Sequence, residues 1–274
     1  MLVIFTMGKH EFFIRFKFKL LMKFRKAIVR DLSSSYLNCI SDFPYHHLLN
    51  LNKAKSQHHD YINILKEMNI EIITLQGDAN HPDCCFVEDT AVIKGNKAVI
   101  TRPGIESRRG EVGPVENALR EFKDIEVIEY PGTLEGGDII HIHENNLLIC
   151  GNSSRTNIEG IKQLSSKLDC NLKIITDPEI VHLKSYVTYL GNNMMLGTSK
   201  YLNHDVFSDF TSIVVPENES YAANSLAIND QVIIPNGYPR VKQLIQDNGF
   251  DVILLDMSEF QKCEGALTCL SLLF

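Results

Sequence analysis

Three kinds of side chain in this sequence have the chemistry needed for covalent catalysis by a thiol. Cys269 lies near the end of the 274-residue chain, and His182 lies far upstream of it. Acidic residues cluster in two further runs, at 83–89 and 135–138. A cysteine nucleophile, a histidine acid/base and an orienting carboxylate are the components of thiol-dependent covalent catalysis. Most intracellular cysteines are small buried hydrophobes, so Cys269 needs support from the elements that would position it.

The first acidic run predicts a pocket for a cation. Asp83, Glu88 and Asp89 place three carboxylates within seven residues, and the apolar neighbour Phe86 indicates partial burial. Buried carboxylates are costly unless they are paired. A planar guanidinium with five N–H donors is a natural partner for several carboxylates. We therefore expect a guanidine-like ligand here.

The second acidic run is a turn rich in glycine. Glu135 and Asp138 flank Gly136 and Gly137, whose missing side chains permit close backbone approach. One of the two carboxylates could orient His182, as the third member of a catalytic triad does. The sequence pattern leaves open which of them does so.

Two arginines are candidates for binding a carboxylate of the ligand. Arg102 and Arg155 each follow the second strand of a predicted hairpin. At that position both could clamp a carboxylate, although each by itself also fits a solvated surface residue. Arg108 and Arg109 are interpreted as a solvated helix start.

Strand–turn–strand units recur along the chain and must position these groups. A helical pattern and one more strand follow most of the units, so a ββαβ unit repeats roughly every 40–50 residues, a period typical of repeat and propeller folds. The predicted hairpins pair residues 89–93 with 98–101, 139–142 with 147–150, 187–190 with 194–196, and 226–228 with 232–234. The helical patterns cover residues 112–122, 157–168 and 239–247.

A fifth hairpin would close the repeat into a ring. Residues 267–273 at the C-terminus would pair with a strand at 26–30, which removes exposed sheet edges. The alternative is a generic α/β sheet with hairpin insertions. In a ring the hairpin starts gather at the centre, which would bring both acidic runs, His182 and Cys269 into one site.

Composition limits the class of protein. The formal net charge of -7 argues against a general nucleic-acid binder and suits an enzyme acting on a small cationic molecule. Seven cysteines at irregular spacings argue against a disulfide framework and for a reducing compartment, so we expect a cytoplasmic protein. The chain is expected to contact neither nucleic acid nor membrane, and a homodimer is left open.

No cofactor or metal is predicted. The pairs Cys84-Cys85, His46-His47, His58-His59 and His141-x-His143 lack the spacing of known structural zinc sites. The glycine pairs do not precede helices as a phosphate-binding loop requires. A zinc protein that uses these cysteines and histidines is kept as a third hypothesis.

The N-terminal segment differs from the rest of the chain. Residues 1–21 mix basic and apolar residues without the uninterrupted apolar core of a signal peptide. We expect a disordered or non-native extension, with a basic amphipathic membrane-surface segment as the alternative. Residues 22–274 are predicted to form a single catalytic α/β-propeller domain.

Taken together, these runs resemble the dimethylarginine dimethylaminohydrolases, in the guanidino-group-modifying superfamily that also holds arginine deiminases and amidinotransferases. The resemblance covers almost all of residues 22–274, and its fold is a pseudo-fivefold, five-bladed α/β propeller of ββαβ units. The segments that carry it are residues 82–89, 100–104, 107–111, 135–138, 154–157, 182–185, 220–224 and 268–271.

The resemblance implies a role for each candidate residue. Cys269 would be the nucleophile, His182 the acid/base, and Glu135 the group that orients His182. The implied substrate-binding residues are Asp83, Glu88 and Asp89 for the guanidinium and α-amino end, Phe86, the backbone of Leu32 and Cys263, and Arg102 and Arg155 for the α-carboxylate.

The implied activity is cysteine-dependent hydrolysis of N-ω-methylated arginines to citrulline and methylamine or dimethylamine, through a covalent thiouronium intermediate. The alternatives are a related guanidine hydrolase or arginine deiminase-type enzyme with another substrate, and a catalytically weak arginine-binding protein. Arginine deiminases carry an extra helical domain for which this chain has no room. Ala266 and Leu273 depart from the family's usual Gly and Arg, which leaves the fine substrate preference open.

Overall fold

The computed structural model describes the backbone of residues 2–7 and 10–15 and all of residues 24–274. The extension predicted over residues 1–21 lies outside the fully described part, and its character stays a prediction. The strands are β1 (Leu2–Met7), β2 (His10–Arg15), β3 (Lys26–Arg30), β4 (Glu71–Leu75), β5 (Ala91–Lys94), β6 (Lys97–Ile100), β7 (Asp124–Val127), β8 (Ile139–Ile142), β9 (Leu147–Asn152), β10 (Asn171–Thr176), β11 (Val187–Gly191), β12 (Met194–Gly197), β13 (Thr211–Val214), β14 (Leu226–Ile228), β15 (Gln231–Pro235), β16 (Asp251–Leu255) and β17 (Leu272–Leu273).

The helices begin where the sequence supplies a cap or a proline. The Asn50 side chain accepts from the Lys53 amide at the start of the first helix, and Asn157 caps the third in the same way. Pro239 occupies the first turn of the fifth, where a missing N–H costs nothing. The helices are α1 (Leu51–Glu67), α2 (Val112–Leu119), α3 (Ile158–Leu168), α4 (Ser199–Leu202), α5 (Pro239–Asp247) and α6 (Ser258–Gln261).

Within residues 24–274 the strands form five three-stranded sheets with the same connectivity. In each sheet an antiparallel pair of strands is followed by a parallel third strand, and the connection to that strand contains a helix. The sheets are β5-β6-β7, β8-β9-β10, β11-β12-β13, β14-β15-β16 and β17-β3-β4. The predicted ββαβ repeat is confirmed.

The two ends of the described domain meet in the last of these sheets. Leu272 and Leu273 of β17 pair antiparallel with Ile28 and Ala27 of β3. The predicted pairing of the C-terminal strand with the strand at 26–30 is therefore confirmed. The apolar faces of the sheets pack against the helices, as α3 shows by burying Ile161 against the β8-β9-β10 sheet.

Two predicted strands are shorter than the sequence pattern indicated. β5 begins at Ala91 because Val87–Thr90 forms a 3₁₀ turn, in which the Thr90 hydroxyl donates to the Val87 carbonyl at 2.7 Å. Near the C-terminus, Thr268–Leu270 also forms a 3₁₀ turn, which leaves only Leu272–Leu273 as strand. The candidate substrate-binding residues Glu88 and Asp89 and the candidate nucleophile Cys269 therefore lie in turns.

A disulfide joins Cys39 to Cys263, which are 224 residues apart in the sequence. The irregular spacing of the cysteines does not predict this bridge. The five cysteines that remain free are Cys84, Cys85, Cys150, Cys170 and Cys269.

In the part of the chain that the structure describes, none of the helices has the length and apolar character needed to cross a membrane.

Candidate active site

Five short 3₁₀ turns, here called the leading turns, each precede the first strand of a hairpin. They are Val87–Thr90, Gly136–Asp138, Leu183–Ser185, Glu217–Ala223 and Thr268–Leu270. The first four leading turns contact one another in succession, and the last contacts the first. Almost all candidate catalytic residues lie in or beside these turns, so their convergence follows from the repeat.

Buried side chains tie the first three leading turns together. Asp89 Oδ1 accepts a hydrogen bond of 3.0 Å from the Gly137 amide. Asp138 Oδ1 in turn accepts one of 2.9 Å from the Leu183 amide. Each acidic side chain therefore fixes the backbone of the next turn along the chain.

Asn224 and Thr268 complete the set of contacts. Asn224 Nδ2 donates to the Lys184 carbonyl at 3.0 Å, and Asn224 Oδ1 accepts from the Thr268 amide at 3.1 Å. The Thr268 hydroxyl donates to Glu88 Oε2 at 2.7 Å, which returns to the first leading turn. The five leading turns are thus joined by a closed circle of hydrogen bonds.

The His182 ring lies between two buried carboxylates. Its Nε2 is 2.7 Å from Glu135 Oε2 and 3.6 Å from Asp89 Oδ1. Burial acts to lower the pKa of His182, but Asp89, Glu135 and Asp138 outweigh it and raise the pKa to about 9. His182 is therefore protonated at neutral pH in the free protein, the form that donates a proton to a leaving group.

The two carboxylates of the second acidic run have different roles. Glu135 contacts the His182 ring directly, whereas Asp138 accepts from the Leu183 amide and from the Ser153 hydroxyl. Burial raises the pKa of Asp138 to about 6, despite the opposing effect of His182 and these hydrogen bonds. Of these two carboxylates, Glu135 is therefore the one that contacts the His182 ring.

Glycine permits the close approach at this point. A side chain at Gly137 would place its Cβ 2.7 Å from the His182 ring and 3.0 Å from Asp89 Oδ1. A contact of 2.7 Å is shorter than real Cβ atoms tolerate, so the residue at this position must be glycine for the ring to stay in place.

Cys269 lies in the last leading turn and is partly exposed. Burial of the thiol and the negative charges of Glu88 and Asp89 raise its pKa well above the ordinary value. The free protein therefore holds Cys269 as a protonated thiol. A cation that neutralised the two carboxylates would lower this pKa and favour the nucleophilic thiolate.

The other acidic residues of the first run are held by several partners. Glu88 Oε1 is 2.6 Å from Lys184 Nζ, and Asp83 accepts hydrogen bonds from the Ile40 amide at 3.2 and 3.3 Å. Burial raises the pKa of both carboxyl groups, and Lys184 beside Glu88 and Arg108 near Asp83 oppose this effect. A cationic ligand that reached Glu88 would compete with Lys184.

Arg108 is buried in the centre of this cluster, so its interpretation as a solvated residue is wrong. Its guanidinium is 2.9 Å from Asp89, 2.8 Å from Glu111 and 3.6 Å from Glu135. Only 5% of Arg108 is exposed, against about a third of the Arg109 side chain. The spacing of Arg108 and Glu111 by three residues on a turn was the sequence signal for an internal ion pair.

The comparisons with known proteins agree with this geometry. A family model described as N,N dimethylarginine dimethylhydrolase, eukaryotic, matches residues 42–235. The dimethylarginine dimethylaminohydrolase of Pseudomonas aeruginosa is 39% identical over 227 residues, which cover 81% of this chain and 89% of that protein. The chain belongs to the dimethylarginine dimethylaminohydrolase family.

Further members of the family align over nearly the whole chain. The dimethylarginine dimethylaminohydrolase of Streptomyces coelicolor is 32% identical over 254 residues, covering 91% of this chain and 97% of that protein. A Pseudomonas aeruginosa structure, of a cysteine-to-serine variant complexed with citrulline, superposes with a TM-score of 0.88. It is 36% identical and covers 92% of this chain and all of that one.

A second solved structure of a dimethylarginine dimethylaminohydrolase is a histidine-to-glycine variant, described as an adduct with S-methyl-L-thiocitrulline. It superposes with a TM-score of 0.87 at 36% identity, and covers 92% of this chain and all of that one. The α/β fold of small sheets seen in this chain is therefore the fold of the family.

The remaining candidate substrate-binding residues differ in how close they lie to the buried acidic cluster. Leu32, Phe86 and Cys263 are buried in one apolar cluster, against which Cys269 packs. Arg155 Nη1 is 3.8 Å from Glu135 Oε1. Arg102 instead lies over the Tyr130 ring and donates to the Gly132 carbonyl at 3.3 Å. The structure records no contact between Arg102 and the acidic cluster among the described residues.

Asp89, Glu135 and His182 offer ligand atoms that lie within 4.8 Å of one another. A metal would require a neutral imidazole, whereas the carboxylates hold His182 protonated. Arg108 also pairs with both of these carboxylates. The cluster is thus arranged as an ion network and does not fit a metal centre.

Proposed function

We propose that this protein hydrolyses N-ω-methylated arginines to citrulline and methylamine or dimethylamine. The observation that carries the proposal is the protonated His182–Glu135 pair beside a carboxylate, Asp89, whose charge also acts on the Cys269 thiol. Members of this family are hydrolases that cleave the C–N bond of a linear amidine. The citrulline complex of the Pseudomonas aeruginosa relative supports an arginine-like ligand.

The first half of the reaction forms the covalent intermediate. The substrate guanidinium binds between Glu88 and Asp89, and its positive charge lowers the pKa of Cys269, so the thiol releases its proton to solvent and becomes a thiolate. The Cys269 sulfur attacks the guanidinium carbon and forms an S–C bond. His182 protonates the departing amine as the C–N bond breaks, which leaves a thiouronium group on Cys269 and a neutral His182.

The second half regenerates the thiol. Neutral His182 takes a proton from a water molecule, whose oxygen attacks the thiouronium carbon. The S–C bond then breaks, citrulline leaves, and Cys269 returns to its starting state. Glu135 holds the ring in place for both proton transfers, because its contact with Nε2 persists in either charge state of His182.

The polar groups of the pocket bind the rest of the substrate. We propose that Asp83, Phe86 and the backbone of Leu32 and Cys263 hold the amino-acid end, and that Arg155 and Arg102 bind the α-carboxylate. Arg108 is a further basic group that the sequence interpretation missed. Because it is 2.9 Å from Asp89, it must share this carboxylate with the substrate or move when the substrate binds.

We further propose that the five sheets form a pseudo-fivefold α/β propeller and that residues 22–274 are one catalytic domain. The closed circle of hydrogen bonds between the leading turns supports this arrangement, since each turn begins one ββαβ unit. The extension at 1–21, a cytoplasmic location and a homodimer stay predictions. The five free cysteines support a reducing compartment, whereas the Cys39–Cys263 disulfide counts against it.

The test is a citrulline assay with the Cys269→Ser variant. We expect turnover of dimethylarginine to be lost while binding of citrulline, measured by calorimetry, stays within about threefold, because serine removes the nucleophile and little volume. Cys170→Ser is the matched control, since Cys170 lies between α3 and β10, outside the site, and should keep full activity. Substantial citrulline release by Cys269→Ser would refute the assignment of the nucleophile.

A panel of guanidines separates the alternatives. Turnover of dimethylarginine and monomethylarginine well above that of arginine supports the proposal. Preference for unmethylated arginine would favour a related guanidine hydrolase. Binding of all three without release of citrulline and without a trapped adduct would indicate an arginine-binding protein.

A further inference from the structure

Two sulfurs and one imidazole meet at a place where the proposed mechanism uses none of these side chains, although it assigns the Cys263 backbone to the substrate. The thiol groups of Cys39 and Cys263 and a ring nitrogen of His46 lie within 4.8 Å of one another. The structure joins the two sulfurs as a disulfide with a Cα–Cα distance of 5.9 Å. His46 Nε2 is buried and has no hydrogen-bond partner among the described residues.

This set of donors has the chemistry of a zinc site. Two thiolates and a neutral imidazole are ligands that Zn²⁺ prefers, and their charge balances that of the ion. A buried ring nitrogen without a partner is costly, and coordination of a metal through Nε2 would satisfy it. Three protein ligands leave one tetrahedral position for water or another small ligand.

We propose that, when reduced, Cys39, Cys263 and His46 form a zinc-binding site that is distinct from the catalytic residues. The disulfide and the zinc complex are alternative states of the same two sulfurs. The site goes beyond the proposed hydrolysis and involves neither His182 nor Cys269.

The disulfide is converted into the zinc complex in two steps, reduction and metal binding. Reduction breaks the S–S bond and leaves two thiols: a phosphine gives two electrons and becomes the phosphine oxide while water supplies the two protons and the oxygen, and a dithiol gives two electrons and two protons and becomes a disulfide. Zinc then displaces both thiol protons and forms two S–Zn bonds, with a third bond to the lone pair of His46. Zinc binding is therefore expected to release protons and to weaken as the pH falls.

The site links two segments that approach the active site. Beside Cys39, the Ile40 amide donates to Asp83, and the Ser41 hydroxyl donates to the Lys262 carbonyl at 2.9 Å. The Asp42 amide donates to Glu264 Oε2 at 2.8 Å. The segment after Cys263 leads through Gly265 to Cys269. Either state of the site therefore holds the segment around residues 39–46 against the segment that carries the nucleophile.

The test is metal uptake by the full chain, measured without reference to turnover. The protein is reduced with a phosphine, freed of reductant under inert gas and titrated with Zn²⁺ against a chromophoric chelator. Co²⁺ is the spectroscopic probe, because thiolate coordination gives a sulfur-to-cobalt charge-transfer band. The oxidised protein is titrated in parallel.

His46→Gln and His47→Gln form the matched pair of variants. His46 is in the cluster, whereas its neighbour His47 is exposed on the same 3₁₀ turn. We expect reduced wild-type protein and His47→Gln to bind about one zinc ion per chain. His46→Gln should bind at least about 10–100-fold more weakly, since loss of even an outer-shell partner costs that much.

The active site is excluded as the source of the signal by Cys269→Ser, which should keep both the zinc affinity and the charge-transfer band. Equal affinity of His46→Gln and wild type, or equal uptake by reduced and oxidised protein, would overturn the proposal. Loss of uptake in Cys269→Ser alone would place the metal at the catalytic thiol and would also overturn it. None of these results depends on whether the protein hydrolyses methylated arginines.

Discussion

Replacing Asn224 with alanine removes the side chain that joins the third, fourth and fifth leading turns. Asn224 is 3% exposed and makes hydrogen bonds to the Lys184 carbonyl, the Thr268 hydroxyl and the Thr268 amide. The Thr268 hydroxyl keeps its bond to Glu88 after the substitution. The Lys184 carbonyl and the Thr268 amide lose the bonds that Asn224 makes to them.

The size of the effect follows from these two groups. A buried polar group without a partner costs about 1–3 kcal/mol, so the loss of partners for two groups should lower the free energy of unfolding by about 2–6 kcal/mol. Thr268 directly precedes Cys269, and a displacement of the nucleophile of roughly 1 Å can cost about 100-fold in rate. We therefore expect kcat to fall by about 10–100-fold, with a smaller change in KM.

Urea unfolding and citrulline kinetics measure the two effects. Asn248→Ala is the matched control. Asn248 is the exposed residue that follows α5, and its side chain donates a hydrogen bond to the Leu244 carbonyl. This control should lose less than about 1 kcal/mol and keep full activity. Wild-type stability together with wild-type kcat in Asn224→Ala would refute the view that the circle of hydrogen bonds positions Cys269.

Three further perturbations test the site. Glu135→Gln should lower the pKa of His182, followed by NMR, and reduce kcat by about 10²–10⁴-fold, because the ring loses its orienting charge. The pKa of His182 is raised from 6.5 to about 9, so its stabilising effect is complete below about pH 6.5 and is lost as the pH rises through 9. The difference in unfolding free energy between wild type and His182→Gln should therefore shrink by roughly 3 kcal/mol between about pH 6 and pH 10. Gly265→Ala should destabilise the protein by about 1–3 kcal/mol in thermal unfolding, because the added Cβ would overlap the Phe86 ring. Gly113→Ala, with open space around it in α2, should instead stabilise by about 0.5–1 kcal/mol.

Each of these expectations has a result that contradicts it. An unchanged imidazole pKa in Glu135→Gln would mean that Asp89 and Asp138 set the charge of His182 without Glu135. A stability difference that grows between pH 6 and pH 10 would reverse the sign of the linkage. Equal melting temperatures for Gly265→Ala and Gly113→Ala would show that the Phe86 ring can move aside at no cost.

Much of the fold could be read from local patterns. The hairpins have turns of glycine and asparagine between β-rich runs, and both signals act over a few residues. The predicted helix at 239–247 matches α5, and the helix predicted from residue 157 begins at Ile158 with Asn157 as its cap. The starts of β5 and β17 could not be read in this way, because contacts between distant leading turns hold those residues in 3₁₀ turns.

The site was predictable only in part. The repeat indicated that both acidic runs, His182 and Cys269 would converge, and the structure brings them to successive leading turns. The choice between Glu135 and Asp138 needed coordinates, since both carboxylates lie directly before the same strand, β8. Arg108 was predicted to be exposed to solvent because it lies next to a second arginine, Arg109. Its partners Asp89 and Glu135 lie 19 and 27 residues away in the sequence, so the local pattern could not reveal them.

The amino-acid sequence by itself determined the repeating unit, the acidic character of the pocket and the presence of a thiol, an imidazole and orienting carboxylates. These properties depend on residue types and on spacings within one unit. Only the tertiary structure decided which carboxylate holds His182, that Arg108 is buried, and that Cys39, His46 and Cys263 meet. These are contacts between residues that are far apart in the chain, and the closing of the five units against one another sets their distances.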